Sequence, residues 1–129
     1  MNWTVWNLNR VIILFVGLAY LLVGIQVTLY HYRQNFRGKS MWAPVIISPL
    51  LFVSGVLLAF YRSAWSLNLF LALLVLGALI GVIGVYFHWR GVGRRVGGYE
   101  LRNFMIGPPV VLPMIFAALA VFGLVGVMW

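Results

Sequence analysis

The chain has 129 residues, of which 64% are hydrophobic and only 8% are charged, and it contains no cysteine. A soluble domain carries about 25% charged residues, so this composition excludes a soluble globular enzyme and a disordered tail, and the lack of cysteine excludes a disulfide scaffold. Nine lysines and arginines accompany a single acidic residue, Glu100, which gives a net charge of +8. We therefore predict one membrane domain that covers residues 1–129.

Four stretches of the sequence contain no charged residue. In chain order they are residues 11–30, 41–61, 63–87 and 103–129. A helix needs roughly 20 apolar residues to cross the hydrocarbon core, and its backbone amides must be hydrogen-bonded within the segment. The short connections favour antiparallel neighbours. The predicted fold class is therefore an all-α integral membrane protein, an up-and-down bundle of four transmembrane helices.

The basic residues predict the orientation of the bundle. The connections 31–40 and 88–102 hold seven of the nine, namely Arg33, Arg37, Lys39, Arg90, Arg94, Arg95 and Arg102. Only Arg10 and Arg62 fall on the opposite side. Short loops rich in lysine and arginine stay in the cytoplasm. We expect both of these connections to be cytoplasmic and both termini to be non-cytoplasmic, in a bacterial inner membrane.

The two halves of the chain, residues 7–62 and 63–129, resemble each other. The matched residues are Gly24 with Gly81, His31 with His88, Arg33 with Arg90, Pro44 with Pro108, and Pro49 with Pro113. Each half contains two helices, so two tandem hairpins would insert in the same orientation, related by a pseudo-twofold axis along the membrane normal. The repeat predicts that the two histidines lie at the same depth on diagonally placed helices.

The prolines make two further local predictions. Pro44 and Pro108 should begin the second and fourth helices, because a first turn does not need the missing N–H group. Pro49 and Pro113 should lie deeper and bend each helix, because each removes a hydrogen bond of the helix interior.

The histidines are the first candidates for chemistry. His31 and His88, at matched depth across a bundle, are suited to binding one haem b through two imidazoles. Arg33 and Arg90 would then meet the haem propionates at the membrane edge. The alternative is that both histidines are ordinary amphipathic residues of the membrane interface. A metal site that adds Glu100 has little support, because this carboxylate is more simply explained by pairing with a neighbouring arginine.

Other reaction classes find little support in the sequence. Ser48 and Ser54 lie in an apolar helix with no histidine or acid at the same depth, and such serines bond to backbone carbonyls. We therefore assign no catalytic residue and no metal site. No charged residue lies within a span, which argues against a proton-driven antiporter. The placement of the basic residues argues against a nucleic acid partner.

We predict a small non-catalytic membrane protein, either a subunit or accessory protein of a membrane complex or a homo-oligomer. Its basic loops would contact anionic phospholipid headgroups, and no cofactor is required. Gly77, Gly81 and Gly84 permit close helix packing, within the bundle or against a partner. The first alternative is an electron-transfer subunit that binds haem b or quinone through His31 and His88. The second alternative is a transporter or channel for a small solute.

Overall fold

The computed structural model describes residues 3–95, 97–106 and 108–128. The side chain of Arg95, one of the basic residues above, and the last residue of the fourth predicted span, Trp129, lie outside this description. The helices are α1 Leu8–Arg33, a 3-10 turn Lys39–Met41, α2 Trp42–Phe60, α3 Ala64–Arg95, α4 Leu101–Ile106 and α5 Val111–Met128. The described residues form no strand. Among them, α1, α2 with its preceding turn, α3 and α5 are long and apolar enough to cross a membrane, which confirms the prediction of four such helices. Their insertion in a membrane stays a prediction.

The four long helices form a ring. Helix α1 packs against α2 and α5, and α3 packs against the same two helices, so α1 and α3 face each other across the bundle. The most extensive contacts join α1 to α2 and α3 to α5, the two helices of each predicted hairpin. The up-and-down arrangement follows from this ring, while the pseudo-twofold relation between the hairpins stays a prediction.

Small residues allow the helix backbones to approach closely. A Cβ atom on Gly55 of α2 would lie 3.1 Å from the Cα of Gly17 on α1. A Cβ atom on Gly81 of α3 would lie 2.6 Å from the backbone nitrogen of Ala117 on α5. Helix association in lipid depends on this close van der Waals packing, because lipid tails are as apolar as the helices themselves. These glycines therefore pack within the bundle.

The half of the bundle that lies near the termini has a closed core. Fully buried side chains from all four long helices meet there, including Val16, Tyr20, Leu58, Phe70, Leu74 and Ala120. The hydroxyl of Tyr20 donates a hydrogen bond of 2.6 Å to the carbonyl of Phe116, and the two rings meet edge to face with centroids 5.0 Å apart. A tyrosine in such a core requires a polar partner, and this carbonyl provides it.

The helix boundaries correct several predictions. Helix α1 continues to Arg33 and α3 to Arg95, so the two connections begin later than residues 31 and 88, and His31 and His88 lie on helices. The fourth stretch is not one helix, because the consecutive prolines Pro108 and Pro109, which have no N–H, separate α4 from α5.

The prolines correct two more predictions and confirm one. Pro108 precedes α5 and does not begin it, and Pro113 is the third residue of α5, in the first turn, so the bend predicted there is wrong. Pro44 lies in the first turn of α2, as predicted, and Pro49 lies inside that helix.

Candidate ligand-binding cleft

A cleft of about 620 Å³ opens at the end of the bundle where α1 and α3 end and α2 and α5 begin. All four long helices and the connection after α1 contribute to its lining. The deeper part is apolar and consists of Val27, Ile80, Leu112 and Phe116. Histidines and arginines surround the outer part. The volume is within the range of about 300–1,000 Å³ that is typical of small-molecule sites.

Both predicted histidines line this cleft. His31 comes from α1 and His88 comes from α3, the two helices that face each other across the ring. The structure therefore brings the two histidines to the same end and into the same cavity.

A proline just before helix α5 fixes the orientation of the His88 ring. Its Nδ1 donates a hydrogen bond of 2.7 Å to the carbonyl of Pro109. In a helix this carbonyl would accept from the N–H four residues on, but that residue is Pro113, which has no N–H. The carbonyl is therefore open to a side chain. Because a carbonyl can only accept, the bond places the ring proton on Nδ1 and the lone pair of the neutral ring on Nε2.

His31 differs from His88 in its hydrogen bonding. The residue is only 8% exposed, and its Nδ1 is buried with no hydrogen-bond partner among the described residues. A buried polar atom without a partner costs about 1–3 kcal/mol, so native proteins rarely leave one unexplained. The atom has less than 1 Å² of accessible surface, so the protein encloses it and it is not open to the cleft.

The chain reverses sharply just after His31. The carbonyls of His31 and Tyr32 accept bonds from the N–H groups of Phe36 and Asn35, the pattern of a Schellman motif. Asn35 and Phe36 adopt left-handed backbone conformations, with φ of 56° and 48°. The conformation is unusual for phenylalanine, and stacking of its ring on Trp42 at 4.1 Å stabilises it. This turn carries the following Arg37 to the cleft.

Three arginines line the outer part of the cleft, namely Arg37, Arg90 and Arg94. The described part of its lining contains no acidic side chain. Glu100, the one carboxylate side chain of the sequence, pairs with Arg102 at 3.0 Å, and both are largely exposed. The cleft is therefore a cationic cavity with an apolar base.

The predicted site is partly assembled. His31, His88 and Arg90 share the cleft, whereas Arg33 is exposed and does not line it. Val27, Tyr30 and His31 of α1 and Gln34, the residue after the helix, line the cleft and form one stripe at helical spacing. Each residue advances by about 100°, so Arg33 lies on a different face from this stripe.

Sequence reasoning did not select Arg37 and Arg94 as site residues. Arg94 continues the helical stripe of α3 that also contains Ile80, Gly84, Phe87 and Gly91, and this spacing could have identified it. Arg37 had no such signal, because its position depends on the turn at Asn35 and Phe36.

The remaining polar groups do not add a reaction centre. The hydroxyls of Ser48 and Ser54 donate to the backbone carbonyls of Pro44 and Leu51, as predicted for serines within such a helix. The described residues contain no group of three histidine, cysteine or acidic side chains that could hold a metal ion. The arrangement is suited to binding an anion with an apolar part. No protein-family model, curated protein or solved structure matches this chain.

Proposed function

We propose that this chain is a non-catalytic integral membrane protein that binds an anionic phospholipid in the cleft between its two hairpins. One observation carries the proposal: three arginines and two histidines surround an apolar cavity whose described lining contains no acidic side chain. The acidic head group would contact the arginines, and an acyl chain would occupy the base formed by Val27, Leu112 and Phe116.

The charge of the cleft favours an anion over a cation. Like charges around one cavity repel one another, and an anion bound between them relieves this repulsion. Helix dipoles do not decide the sign, because the N-termini of α2 and α5 and the C-termini of α1 and α3 meet at this end. The arginines therefore determine which ligand the cleft attracts.

The proposed location agrees with this ligand. The seven basic residues of the two connections would face the cytoplasmic leaflet of a bacterial inner membrane, with both termini on the other side. That leaflet carries anionic lipid, and each basic residue near its surface contributes about 1 kcal/mol of attraction. Association of the chain with further copies or with a larger membrane complex stays a prediction.

The absence of cysteine provides a direct test of the orientation. We expect Lys39→Cys and Leu101→Cys to react with a membrane-impermeant maleimide only after the cytoplasmic side is opened. Thr4→Cys, near the other end of the bundle, should react in intact spheroplasts. Labelling of Lys39→Cys and Leu101→Cys from opposite sides of the membrane would refute the proposed orientation.

Lipid binding can be tested on the purified protein by native mass spectrometry. The variant that carries Arg37→Gln, Arg90→Gln and Arg94→Gln should lose phosphatidylglycerol adducts by a factor of about 100 or more, because charge-assisted bonds contribute about 1.5–3 kcal/mol each. Phosphatidylcholine with the same acyl chains serves as the zwitterionic reference.

A second triple variant provides the matched control. Arg33→Gln, Lys39→Gln and Arg102→Gln remove the same formal charge from segments that neighbour the cleft residues in the chain, but none of the three lines the cleft. We expect this variant to retain phosphatidylglycerol binding. Equal losses in the two triple variants would mean that the lipid responds to net charge, and the proposal would be wrong.

A second candidate function is electron transfer by haem b or quinone bound between His31 and His88. The observation that favours it is the hydrogen bond from His88 Nδ1 to a backbone carbonyl, which is the arrangement found in metal-ligating histidines. An optical spectrum tests it. A Soret band that disappears in His88→Ala would support haem binding, and a colourless protein that does not bind added haemin would exclude a haem.

A further inference from the structure

We infer that the lipid bound in the cleft has two acyl chains, and that one of them leaves the bundle for the bilayer through a lateral opening between α2 and α3. The lateral opening is lined by Ile83 and Phe87 of α3 and by Ala43 and Pro44 of α2. This inference rests on the proposed function, because it assumes that the cleft binds an anionic phospholipid. It adds the class of lipid, a diacyl lipid of one leaflet, and the path of its second chain.

Two apolar side chains of the cleft lining are also exposed on the outside of the bundle. Ile83 is 52% exposed and Phe87 is 45% exposed, although both line the cleft. The other apolar side chains of the described lining are buried or half-buried. A side chain that lines a cavity and is also exposed lies where the cavity reaches the surface. The cleft therefore opens sideways at Ile83 and Phe87 as well as at the end of the bundle.

The position of Ile83 on α3 identifies the two helices that border this opening. Gly81 and Gly84 hold α3 close to α5, because a Cβ atom on either glycine would lie within 3.0 Å of an atom of α5. Each residue advances by about 100° around a helix, so Ile83, two residues after Gly81, lies on a nearly opposite face. The other neighbour of α3 in the ring is α2, which contributes Ala43 and Pro44 to the cleft. The opening therefore lies between α2 and α3.

The two sides of α1 are closed at the depth of the apolar base. Between α1 and α2, a Cβ atom on Gly24 would lie 2.6 Å from the Cβ of Ser48. Between α1 and α5, the hydroxyl of Tyr20 donates to the carbonyl of Phe116, and the side chains of Phe116 and Val27 are buried. An acyl chain in the base therefore reaches the bilayer between α2 and α3 and not beside α1.

The size of the cleft requires that part of a phospholipid stays outside it. A cavity of about 620 Å³ is of the size that encloses a drug-sized ligand, and a phospholipid with two long acyl chains is larger than this. Each CH₂ group left in water costs about 0.8 kcal/mol. The part of the lipid outside the cleft is therefore stable only in the hydrocarbon of the bilayer.

The lateral opening lies at a depth that suits an acyl chain below its head group. Ile83 precedes Arg90 by seven residues, which corresponds to about 10 Å along α3. The head group would contact Arg90 at the rim, and the second chain would pass Phe87 and Ile83. No polar side chain lines the opening, so an acyl chain in it leaves no polar group without a partner.

The experiment measures how a bound lipid protects single cysteines in the purified full-length protein, which has no cysteine of its own. Ile83→Cys lies in the opening. Val82→Cys is the matched control, because Val82 is the adjacent residue and is exposed but does not line the cleft. Both variants are alkylated with a detergent-soluble maleimide in mixed micelles that contain phosphatidylglycerol or phosphatidylcholine with the same acyl chains.

We expect phosphatidylglycerol at about ten times its Kd to slow the alkylation of Ile83→Cys about tenfold, because about nine in ten molecules are then occupied. Native mass spectrometry of the same variant gives that Kd. Phosphatidylcholine should not slow the reaction of Ile83→Cys, and neither lipid should slow that of Val82→Cys.

A second pair of variants keeps the test independent of whether Ile83→Cys folds. Phe87→Cys lies in the opening, and Tyr86→Cys is its control, because Tyr86 is exposed and does not line the cleft. We expect phosphatidylglycerol to protect Phe87→Cys and not Tyr86→Cys. Lysophosphatidylglycerol has the same head group and only one chain, which would occupy the base of the cleft, so it should protect Phe87→Cys less.

The alternative results separate this inference from the proposed function. Phosphatidylglycerol that binds without slowing the alkylation of Ile83→Cys or Phe87→Cys would overturn the inference and leave the proposed function intact. Equal protection of Ile83→Cys and Val82→Cys would indicate a general coat of lipid and would overturn it too. Equal protection by lysophosphatidylglycerol would refute the assignment to a second chain. Binding of phosphatidylglycerol no tighter than that of phosphatidylcholine would overturn both.

Discussion

The two ends of the bundle use arginine in opposite ways. Near the termini, the Arg10 guanidinium lies 3.6 Å from the ring centre of Trp6, and its Nε donates a hydrogen bond of 2.6 Å to the carbonyl of Ala59. Arg62 lies 4.7 Å from the ring centre of Trp3. The protein's own rings and carbonyls therefore stabilise these charges. At the other end, arginines surround a cavity with no acidic side chain in its described lining.

The two ends also differ in how closely their helices pack. In the half near the termini, Gly17 and Gly55 bring α1 and α2 together, and Gly126 of α5 approaches Ile12 of α1. At the other end, a cleft of about 620 Å³ opens between the four long helices, although Gly81 of α3 still approaches Ala117 of α5 closely beside it. The comparison indicates that the closed half holds the fold together and the open half holds the ligand.

The largest effect on stability is expected from crowding the closed half. A Cβ atom added by Gly126→Ala would overlap Cγ2 of Ile12, a stiff β-branched side chain. Overpacking of this kind costs about 1–3 kcal/mol, which unfolding in mixed detergent micelles would measure. The control is Gly38→Ala near the cleft, where the new Cβ would meet Ser40 Oγ at an ordinary 3.6 Å. Equal destabilisation by both substitutions would contradict the comparison.

A smaller loss of stability is expected on substitution of Arg10. This substitution distinguishes an arginine that stabilises the fold from one that binds lipid. Arg10→Gln removes the contact with Trp6 and the bond to Ala59, at a cost of about 0.5–2 kcal/mol in unfolding free energy. Phosphatidylglycerol binding should not change. Arg94→Gln should show the reverse pattern, with weaker lipid binding and unchanged stability. If Arg10→Gln impaired lipid binding as strongly as Arg94→Gln did, the functional distinction between the two ends would be lost.

The smallest effect is expected at Tyr20, below the cleft. Tyr20→Phe deletes the donor to the Phe116 carbonyl but keeps the ring in place. Hydrogen bonds between membrane helices contribute about 0.6 kcal/mol on average, so the same unfolding assay should show a loss of that order. Tyr32→Phe, on the same helix but with a side chain that is 71% exposed, should be neutral. A loss of several kcal/mol at Tyr20 would place it in a polar network larger than this one bond.

The sequence predicted the structure best where an apolar environment permits only one kind of secondary structure. Long apolar segments must form helices, and the bounds of α1, α2 and α3 overlap the first three predicted stretches. The fourth stretch was predicted less well, because hydropathy does not distinguish a helix from the break at Pro108 and Pro109. The same two-proline region then supplies the carbonyl that orients His88, a role that no local pattern reveals.

The site was predictable only as far as helical geometry determines it. His31 and His88 were placed at the same end because short connections in a four-helix bundle bring those helix ends together. Arg33 was chosen by its separation of two residues from His31, which suits a loop but places it on another face of a helix. Arg37 depends on left-handed residues in the following turn, and the sequence gives only a weak signal for that turn.

The most direct measurement is photo-crosslinking of the protein in lipid vesicles with an anionic phospholipid that carries a diazirine in its acyl chain. The account predicts adducts concentrated on the peptide that contains Leu112 and Phe116 at the base of the cleft, and displacement of these adducts by unlabelled anionic lipid. Adducts spread evenly over the outward-facing apolar side chains such as Leu22, Val53 and Val82, with no displacement by unlabelled lipid, would contradict the account.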